Sequence, residues 1–565
     1  MRPRDECGVL SIQGRIFRLN AIVPVAAVLS LAFPVSAAEI PVFPQSAAPA
    51  RVLHHLNLMD APLDVRFAMT VLQGLVNRDR PRIYISQDPG WHGAGSFPRW
   101  MGDLEARGHS FESISPEQAV STYRTRISGA ALYEPDLESD PESLHKLNAL
   151  TLYCAIESAI PVTPELNERL GLPVILDVRG KYNSAADAYD WAYSELWPRA
   201  NHALLAHTCP THMVLRDYLV QHKAMPFWIG RQTDRRGDSA ALRFLAEGVP
   251  NTPLMGCWGG YGEQPPGRYT EAQLQRLASS YGKFVVVSDG CFNLSVFSGL
   301  PYERPTMSRR PVPDLDRGKV YIVFNITDGD NLQYLQQHFV SAQWWLDPGR
   351  GSVPISWSLN PVAAELIPSV VEYLQSSATE LDEFVCSTAG IGLVAPSLYG
   401  AELAVDRDAL YGDYLRMTDA SLKNVGETCI HLGDTSNIPW TRADFERCAR
   451  ELTGARGILA DYGKSLGVFP SNASYTVGRD VVVLRALAGI GQAKDDEERA
   501  QRIAEAVRTN TPDARPAFMH VCLVNWFVTP TSIRRAVEIL GDDYAALLPS
   551  EAVDLYLEAV RTPER

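Results

Sequence analysis

The sequence predicts an α/β protein in two parts, an N-terminal α/β domain followed by a (β/α) barrel-like domain. Three observations predict it. Short β-like apolar runs alternate with stretches of helical apolar spacing along most of the chain, the pattern of parallel sheets covered by helices. Ser298 to Arg317 holds Pro301, Pro305, Pro311 and Pro313, several charges and no apolar period, which marks a linker. The chain then restarts with Val320–Ile326, an unbroken apolar run typical of a buried parallel strand.

In chain order, Arg51–Asn57 reads as a strand, Leu63–Val76 as a helix and Pro81–Ile85 as a strand. The rhythm returns at Val174–Val178, His202–His207, Met225–Gly230 and Lys283–Ser288. Beyond the linker, Val353–Ser358, Glu383–Ser387, Thr428–Leu432, Gly457–Ala460, Val481–Leu484 and Phe518–Val524 follow as strands. Val362–Gln375, Asp495–Val507 and Pro530–Leu540 are among the helices near them. Seven strands in this half predict a barrel or a variant lacking one strand, with a doubly wound sheet as the alternative. The expected boundaries are 1–37 for a signal peptide, 38–310 for the first domain and 317–565 for the barrel-like, catalytic one.

The signal peptide rests on Arg15 and Arg18, the apolar run Ala21 to Phe33 and the small residues of Val35-Ser36-Ala37. It predicts a periplasmic or secreted protein. No other apolar run reaches spanning length, so no membrane insertion of the mature chain is expected. Of 565 residues, 46% are hydrophobic and 21% charged, the balance of a globular chain and not of a disordered one. The net charge of −14, without a basic block to offset it, argues against nucleic acid as a partner. The cysteines show no C-x-x-C or metal-type spacing. Cys257 and Cys291 are the first pair to test for a disulfide, the others reading mostly as buried thiols. His202, His207 and His212 stand five apart, which does not align them on a helix face, and His54-His55 point to opposite sides of a strand.

Parallel α/β enzymes place their chemistry at the C-terminal ends of strands. There the first strand of the second half offers Thr327-Asp328-Gly329-Asp330-Asn331-Leu332-Gln333. Asp328 and Asp330 suit acid/base work, a hard cation or sugar hydroxyls. The competing reading is that Asp330 or Asn331 caps the next helix while Asp328 orders the turn. Later strand ends offer His431, Asp434, Asn437, Asp461, Tyr462, Asn525 and Trp526. Met255 to Gly262 is a glycine-rich loop whose Trp258 and Tyr261 could stack on sugars or pack against the neighbouring domain.

Pro354 to Pro396 resembles the characteristic stretch of the GxGYxYP family of bacteria, to which glycoside hydrolysis is ascribed. The pieces that carry the likeness are Ser356-Trp357-Ser358-Leu359-Asn360-Pro361, Ala364-Glu365-Leu366-Ile367-Pro368 and Gly390-Ile391-Gly392-Leu393-Val394-Ala395-Pro396. Asp328 to Asn331 is similar to that family's D-G-D-N segment. Leu72-Gln73-Gly74-Leu75-Val76-Asn77-Arg78, and Ser288-Asp289 with Asn293-Leu294-Ser295, resemble its N-terminal region. Leu393 and Ala395 stand where the naming motif has tyrosines. The resemblance implies sugar processing, here by a glycoside hydrolase, and the leader puts its carbohydrate substrate outside the cytoplasm. The resemblance supplies no catalytic pair; by their places after strands, Asp328, Asp330, Asp434 and Asp461 are the candidate catalytic carboxylates. Asn331, Gln333, Trp357, Gly390, Gly392, His431, Asn525 and Trp526 are candidate substrate-binding residues, and the Gly390–Pro396 loop is expected to line the cleft. No cofactor is expected. A divalent metal enters only under an alternative, a carbohydrate deacetylase, and a non-catalytic glycan-binding protein is the other alternative.

Overall fold

The computed structural model describes residues 41–565 apart from 89–95, 136–142, 230–234, 257–269, 434, 461–473, 488–492 and 562–565. The predicted leader, Cys257, Trp258, Tyr261, Asp434, Asp461 and Tyr462 therefore lie outside the described residues.

Three small parallel sheets precede the barrel. Strands β1 (Val52–Asn57), β2 (Ile83–Ser86) and β3 (Ser110–Ser113) form the first, in the order β2-β1-β3. The second consists of β4 (Gly129–Leu132), β5 (Ala159–Val162) and β6 (Val174–Asp177), in the order β5-β4-β6. The third has β7 (Asn201–His207), β8 (Ala224–Phe227), β9 (Thr252–Gly256) and β10 (Lys283–Val287), in the order β10-β9-β7-β8. Parallel neighbours need crossover connections, and helices such as Leu63–Val76 and Glu271–Ser280 supply them.

The barrel is built from β11 (Val320–Ile326), β12 (Ile355–Leu359), β13 (Asp382–Cys386), β14 (Cys429–Leu432), β15 (Gly457–Ala460), β17 (Val481–Leu487) and β18 (Ala517–Leu523). Each pairs in parallel with the next, and β11 closes the ring by pairing with both β18 and β12. A short β16 (Tyr475–Val477) runs antiparallel to β17. The last strand, β19 (Tyr544–Leu547), pairs with Val320–Val323 of β11, while β12 pairs with Asn325 and Ile326 further along. An eighth strand is thus present only at the N-terminal end of the barrel.

Alternation along the strands separates the two faces. Val320, Ile322, Phe324 and Ile326 of β11 join Trp357, Phe384 and Ile430 in the large cluster under the outer helices. Tyr321 and Val323 instead meet Val385, Leu459, Leu484 and Phe518 from across the ring, together with Val553 and Leu555 of helix Pro549–Arg561. This apolar layer fills the lower lumen.

The chain between Phe297 and Val320 crosses to the barrel without helix or strand. It is fastened along the way: Tyr302 Oη donates to Gln375 (2.6 Å), and the Arg310 guanidinium grips both carboxylate oxygens of Glu551 (2.6 and 2.7 Å). The Gln73-to-Arg78 stretch is a buried polar tie. Gln73 Nε2 donates to Asn293 Oδ1 (2.6 Å), and Asn77 Nδ2 donates to Ser295 Oγ (2.8 Å). Among the described residues, no helix is long and apolar enough to cross a membrane.

Candidate functional site

The upper end of the barrel meets the C-terminal end of the third sheet, and the sequence after β11 makes the joint. Asn331 caps helix Leu332–Gln337, its Oδ1 accepting from the Tyr334 amide at 3.1 Å, and its backbone bridges to Val287 at the end of β10. Three glutamines of that helix then hold the chain after β10. Gln333 Oε1 accepts from the Gly290 amide, Gln337 Nε2 donates to the Gly290 carbonyl (2.6 Å), and Gln336 exchanges two hydrogen bonds with Phe292 (3.0 and 3.1 Å). This places the buried Asp289 in the segment fastened to the helix after Asp330.

The turn itself is tightly constrained. Asp328 adopts φ 76°, a left-handed backbone that a side chain adopts at a cost and that recurs at functional sites. A Cβ on Gly329 would collide with the Ser358 carbonyl at the end of β12, and the Asn360 amide donates to the Gly329 carbonyl at 2.8 Å. Only glycine lets the turn lie this close to β12.

Burial, then the nearby Asp330 and Glu271, drives the Asp328 carboxyl well above the usual carboxylate range, while the side chains of Trp526 and Asn525 pull the other way. Burial pushes Asp330 up to about 6, and its Oδ1 has no hydrogen-bond partner in the protein. Asp328 feels the Asp330 charge, so two neighbouring carboxyls do not ionise independently and the pair gives up its second proton less readily than its first. One carboxylic acid beside one carboxylate is the arrangement that acid/base chemistry requires.

Around them, Asn525 is buried and Trp526 half-buried, its ring edge-on to Tyr334 and Trp344. His431 of β14 lies below, inside the ring, facing His520 of β18 at 5.9 Å between centroids. These strands are not neighbours, so the two rings meet through the lumen. Sequence reasoning missed His520 and Glu271, and met Asp289 only as part of the family-like Ser288-Asp289 pair. The signal for His520 was a histidine at an inward position of an otherwise apolar strand, Ala517–Leu523.

Trp357 is corrected from a substrate platform to a structural residue. Its strand position points outward, it is fully buried, and its Nε1 donates to Asp382 Oδ1 at 2.8 Å beside Trp345 and Phe339. Among the described residues no group of three histidines, cysteines or carboxylates is gathered to hold a metal. His202 stacks on Trp197, and His54 and His55 bond Tyr123 and Ser86 respectively.

Models described as GxGYxYP_N second domain, GxGYxYP third domain and GxGYxYP putative glycoside hydrolase C-terminal domain match residues 127–200, 202–299 and 318–557. The chain belongs to the GxGYxYP family. A putative hydrolase from Bacteroides thetaiotaomicron has a similar solved structure, with a TM-score of 0.73 and 18% identity over 94% of this chain and 99% of that one. At that identity the likeness concerns the fold. Curated proteins yield no match.

In this GxGYxYP protein the naming motif is a joint between the two halves. Leu393 is fully buried in the core of the third sheet and exchanges both backbone hydrogen bonds with Val285 of β10 (2.8 and 3.0 Å). A Cβ on Gly392 would press on Phe284 and the Val285 carbonyl, and one on Gly390 on Thr418. Tyr414 Oη lies 2.6 and 2.7 Å from the Ala389 and Gly392 carbonyls. Leu393 thus faces a core and not the cleft, which corrects the expectation that this loop lines it. The packing explains why the motif keeps both glycines here.

Proposed function

We propose that this protein hydrolyses glycosidic bonds with Asp328 and Asp330 as its acid/base pair. The observation that carries the reading is the pair of neighbouring carboxyls, Asp330 buried and Asp328 half-buried, on the constrained turn at the C-terminal end of β11, the position where barrel enzymes keep their chemistry. The family description of the C-terminal half points the same way.

In this reading Asp328, the carboxyl that holds its proton more firmly, donates it to the glycosidic oxygen as the bond to the anomeric carbon breaks. Asp330, ionised above about pH 6, takes a proton from the water that adds to that carbon. The glycosidic C–O bond breaks, a C–O bond to the water oxygen forms, and the cycle closes when the proton Asp330 has taken from water passes through solvent to Asp328. Trp526, whose side chain hydrogen-bonds the Asp328 carboxyl, stands beside the pair as an aromatic of the kind that packs on sugar rings. With the leader expected at residues 1–37, the reaction takes place in the periplasm or outside the cell.

The test is a panel of glycosides and oligosaccharides assayed with the wild type, Asp328→Asn and Asp330→Asn. Loss of about 10²–10⁴ in kcat/KM for each variant, with folding intact, is expected. Full activity in both removes the pair from the mechanism.

A further inference from the structure

We propose that a polar cavity on the flank of the barrel is a second, non-catalytic site, which holds a neutral glycan chain on the protein. The preference for a glycan rests in part on the glycosidase reading, while the cavity rests on separate observations.

The cavity has a volume of about 530 Å³, within the range of about 300–1,000 Å³ that small-molecule sites occupy. Three stretches line it: the chain leaving Pro396, the start of helix Arg407–Val425 and the first two turns of helix Arg442–Glu451. The motif Gly390–Pro396 thus ends in its wall. The two helices follow β13 and β14, so the cavity lies at the same end of the barrel as the Asp328 turn.

Its polar groups are held in place, and each keeps an atom for a guest. Asp406 caps the first helix, its Oδ1 accepting from the amides of Asp408 and Ala409 (3.0 and 3.1 Å). Asp444 completes the cap of the second, its Oδ2 accepting from the Thr441 amide and hydroxyl (both 2.7 Å). Arg447 Nη1 donates to Asp408 Oδ1 (2.9 Å), and Arg407 donates to the carbonyls of Tyr399 and Ser397 (2.9 and 2.6 Å). The other oxygen of each aspartate and one Arg407 Nη are left uncommitted. Asp406, Arg407 and Asp408 are exposed and Asp444 half-buried, so these atoms meet open space and not packed protein. Groups fixed in this way lose little freedom on binding.

The chemistry selects the guest. Acceptors and a donor stand around one space, which suits hydroxyls, since each hydroxyl both donates and accepts. Tyr411, 3% exposed in the cavity wall, has a hydroxyl with no partner in the protein beyond the nearby Cys448 thiol. Val405, 43% exposed, adds an apolar surface for the C–H groups of a sugar ring. Three carboxylates against two guanidiniums disfavour a phosphate, a sulfate or a uronate. Among the described residues these carboxylates are not gathered as a metal site. The rim at Ser397 and Val405 is exposed, so a chain longer than the cavity leaves it on the solvent side. A polymer gripped here stays at the end of the barrel that carries Asp328 and Asp330.

The test is affinity electrophoresis of the full-length protein in gels holding arabinoxylan, galactomannan, β-glucan or amylose, with polygalacturonate as the charged control. Asp330→Asn is the background, so that no polymer is digested during the run. Into it go Asp408→Ala, which removes an exposed carboxylate, and Val405→Trp, which fills the cavity from its rim; circular dichroism checks that both fold. At least one neutral polymer should retard the background protein and polygalacturonate should not. The retardation should weaken by about threefold or more in a folded cavity variant. No retardation by any neutral polymer, retardation unchanged in both folded variants, or retardation by polygalacturonate that the variants weaken overturns the site. Retardation lost in the variants of a protein whose wild type hydrolyses no glycan supports the site and counts against the Asp328/Asp330 reading. Hydrolysis by the wild type with retardation unchanged in the variants leaves that reading standing and removes the site.

Discussion

Replacing Asp330 with asparagine separates the energetic cost of the site from its use. Asp330 is 7% exposed, and burial moves its carboxyl from the usual 3.8 to about 6. Between those values the folded chain keeps a proton that the unfolded chain has lost, so stability falls as pH climbs through this window and levels off above it. The displacement corresponds to about 3 kcal/mol, the cost of holding this side chain ionised inside the protein. Asparagine has nearly the same shape and never ionises. Asp330→Asn should therefore be more stable than the wild type at pH 8 by up to about 3 kcal/mol. At pH 4 the gain should nearly vanish, because the wild-type carboxyl is then largely protonated. Urea unfolding followed by tryptophan fluorescence at the two pH values measures the difference. A variant less stable at pH 8, or a gain that does not change between pH 8 and pH 4, would refute the argument that Asp330 is a destabilised charge.

Four further outcomes follow from the same geometry. The pH profile of kcat/KM should rise with an inflection near 6 as Asp330 ionises, and fall at higher pH as Asp328 loses its proton; a profile flat from pH 5 to 8 would contradict the pairing. Gly329→Ala, whose new Cβ meets the Ser358 carbonyl, should displace the turn and abolish activity even where circular dichroism shows a folded chain. Trp357→Phe removes the donor to Asp382, a carboxylate also held by Arg350 at 2.6 Å; about 1–3 kcal/mol should be lost in denaturation with substrate affinity unchanged. Leu393→Tyr, which restores the family residue, should cost about 1–3 kcal/mol by overfilling the third-sheet core and leave the saccharide profile as it was.

The barrel was legible because its strands are long apolar runs of the kind that parallel sheets bury on both faces. Val320–Ile326 and Gly457–Ala460 form as read, and the other five barrel strands lie within three residues of their expected ends. The expected helix Val362–Gln375 is interrupted at Ile367, where Pro368 starts a second helix. Strands β4 and β5 were not legible: Gly129–Leu132 and Ala159–Val162 are four residues long and rich in small side chains or proline, so no period shows. β19 escaped for a similar reason, being short and half-buried. At the site, the Asp328–Gly329–Asp330 turn was readable from its place after an apolar strand. The capping of helix Leu332–Gln337 by Asn331 was equally readable as the competing role, and the structure realises it. The rest depended on register across the ring, which a linear pattern does not carry. Trp357 and Leu393 show the converse, where a motif draws the eye to residues that packing alone explains.

The seam formed by the three glutamines, Asn331 and the Leu393–Val285 exchange has a consequence for anyone wishing to transplant this protein's chemistry. A barrel excised at residue 317 would carry Asp328 and Asp330 away from the Gly290–Phe292 backbone that steadies the helix behind them. It would also turn Leu393 out into water. The half that bears the acids is therefore not a portable module. Recombination between relatives should succeed when residues 283–297 travel with the barrel's own Asn331–Gln337 and Gly390–Pro396 partners, because these segments were fitted to one another as a single mechanical piece.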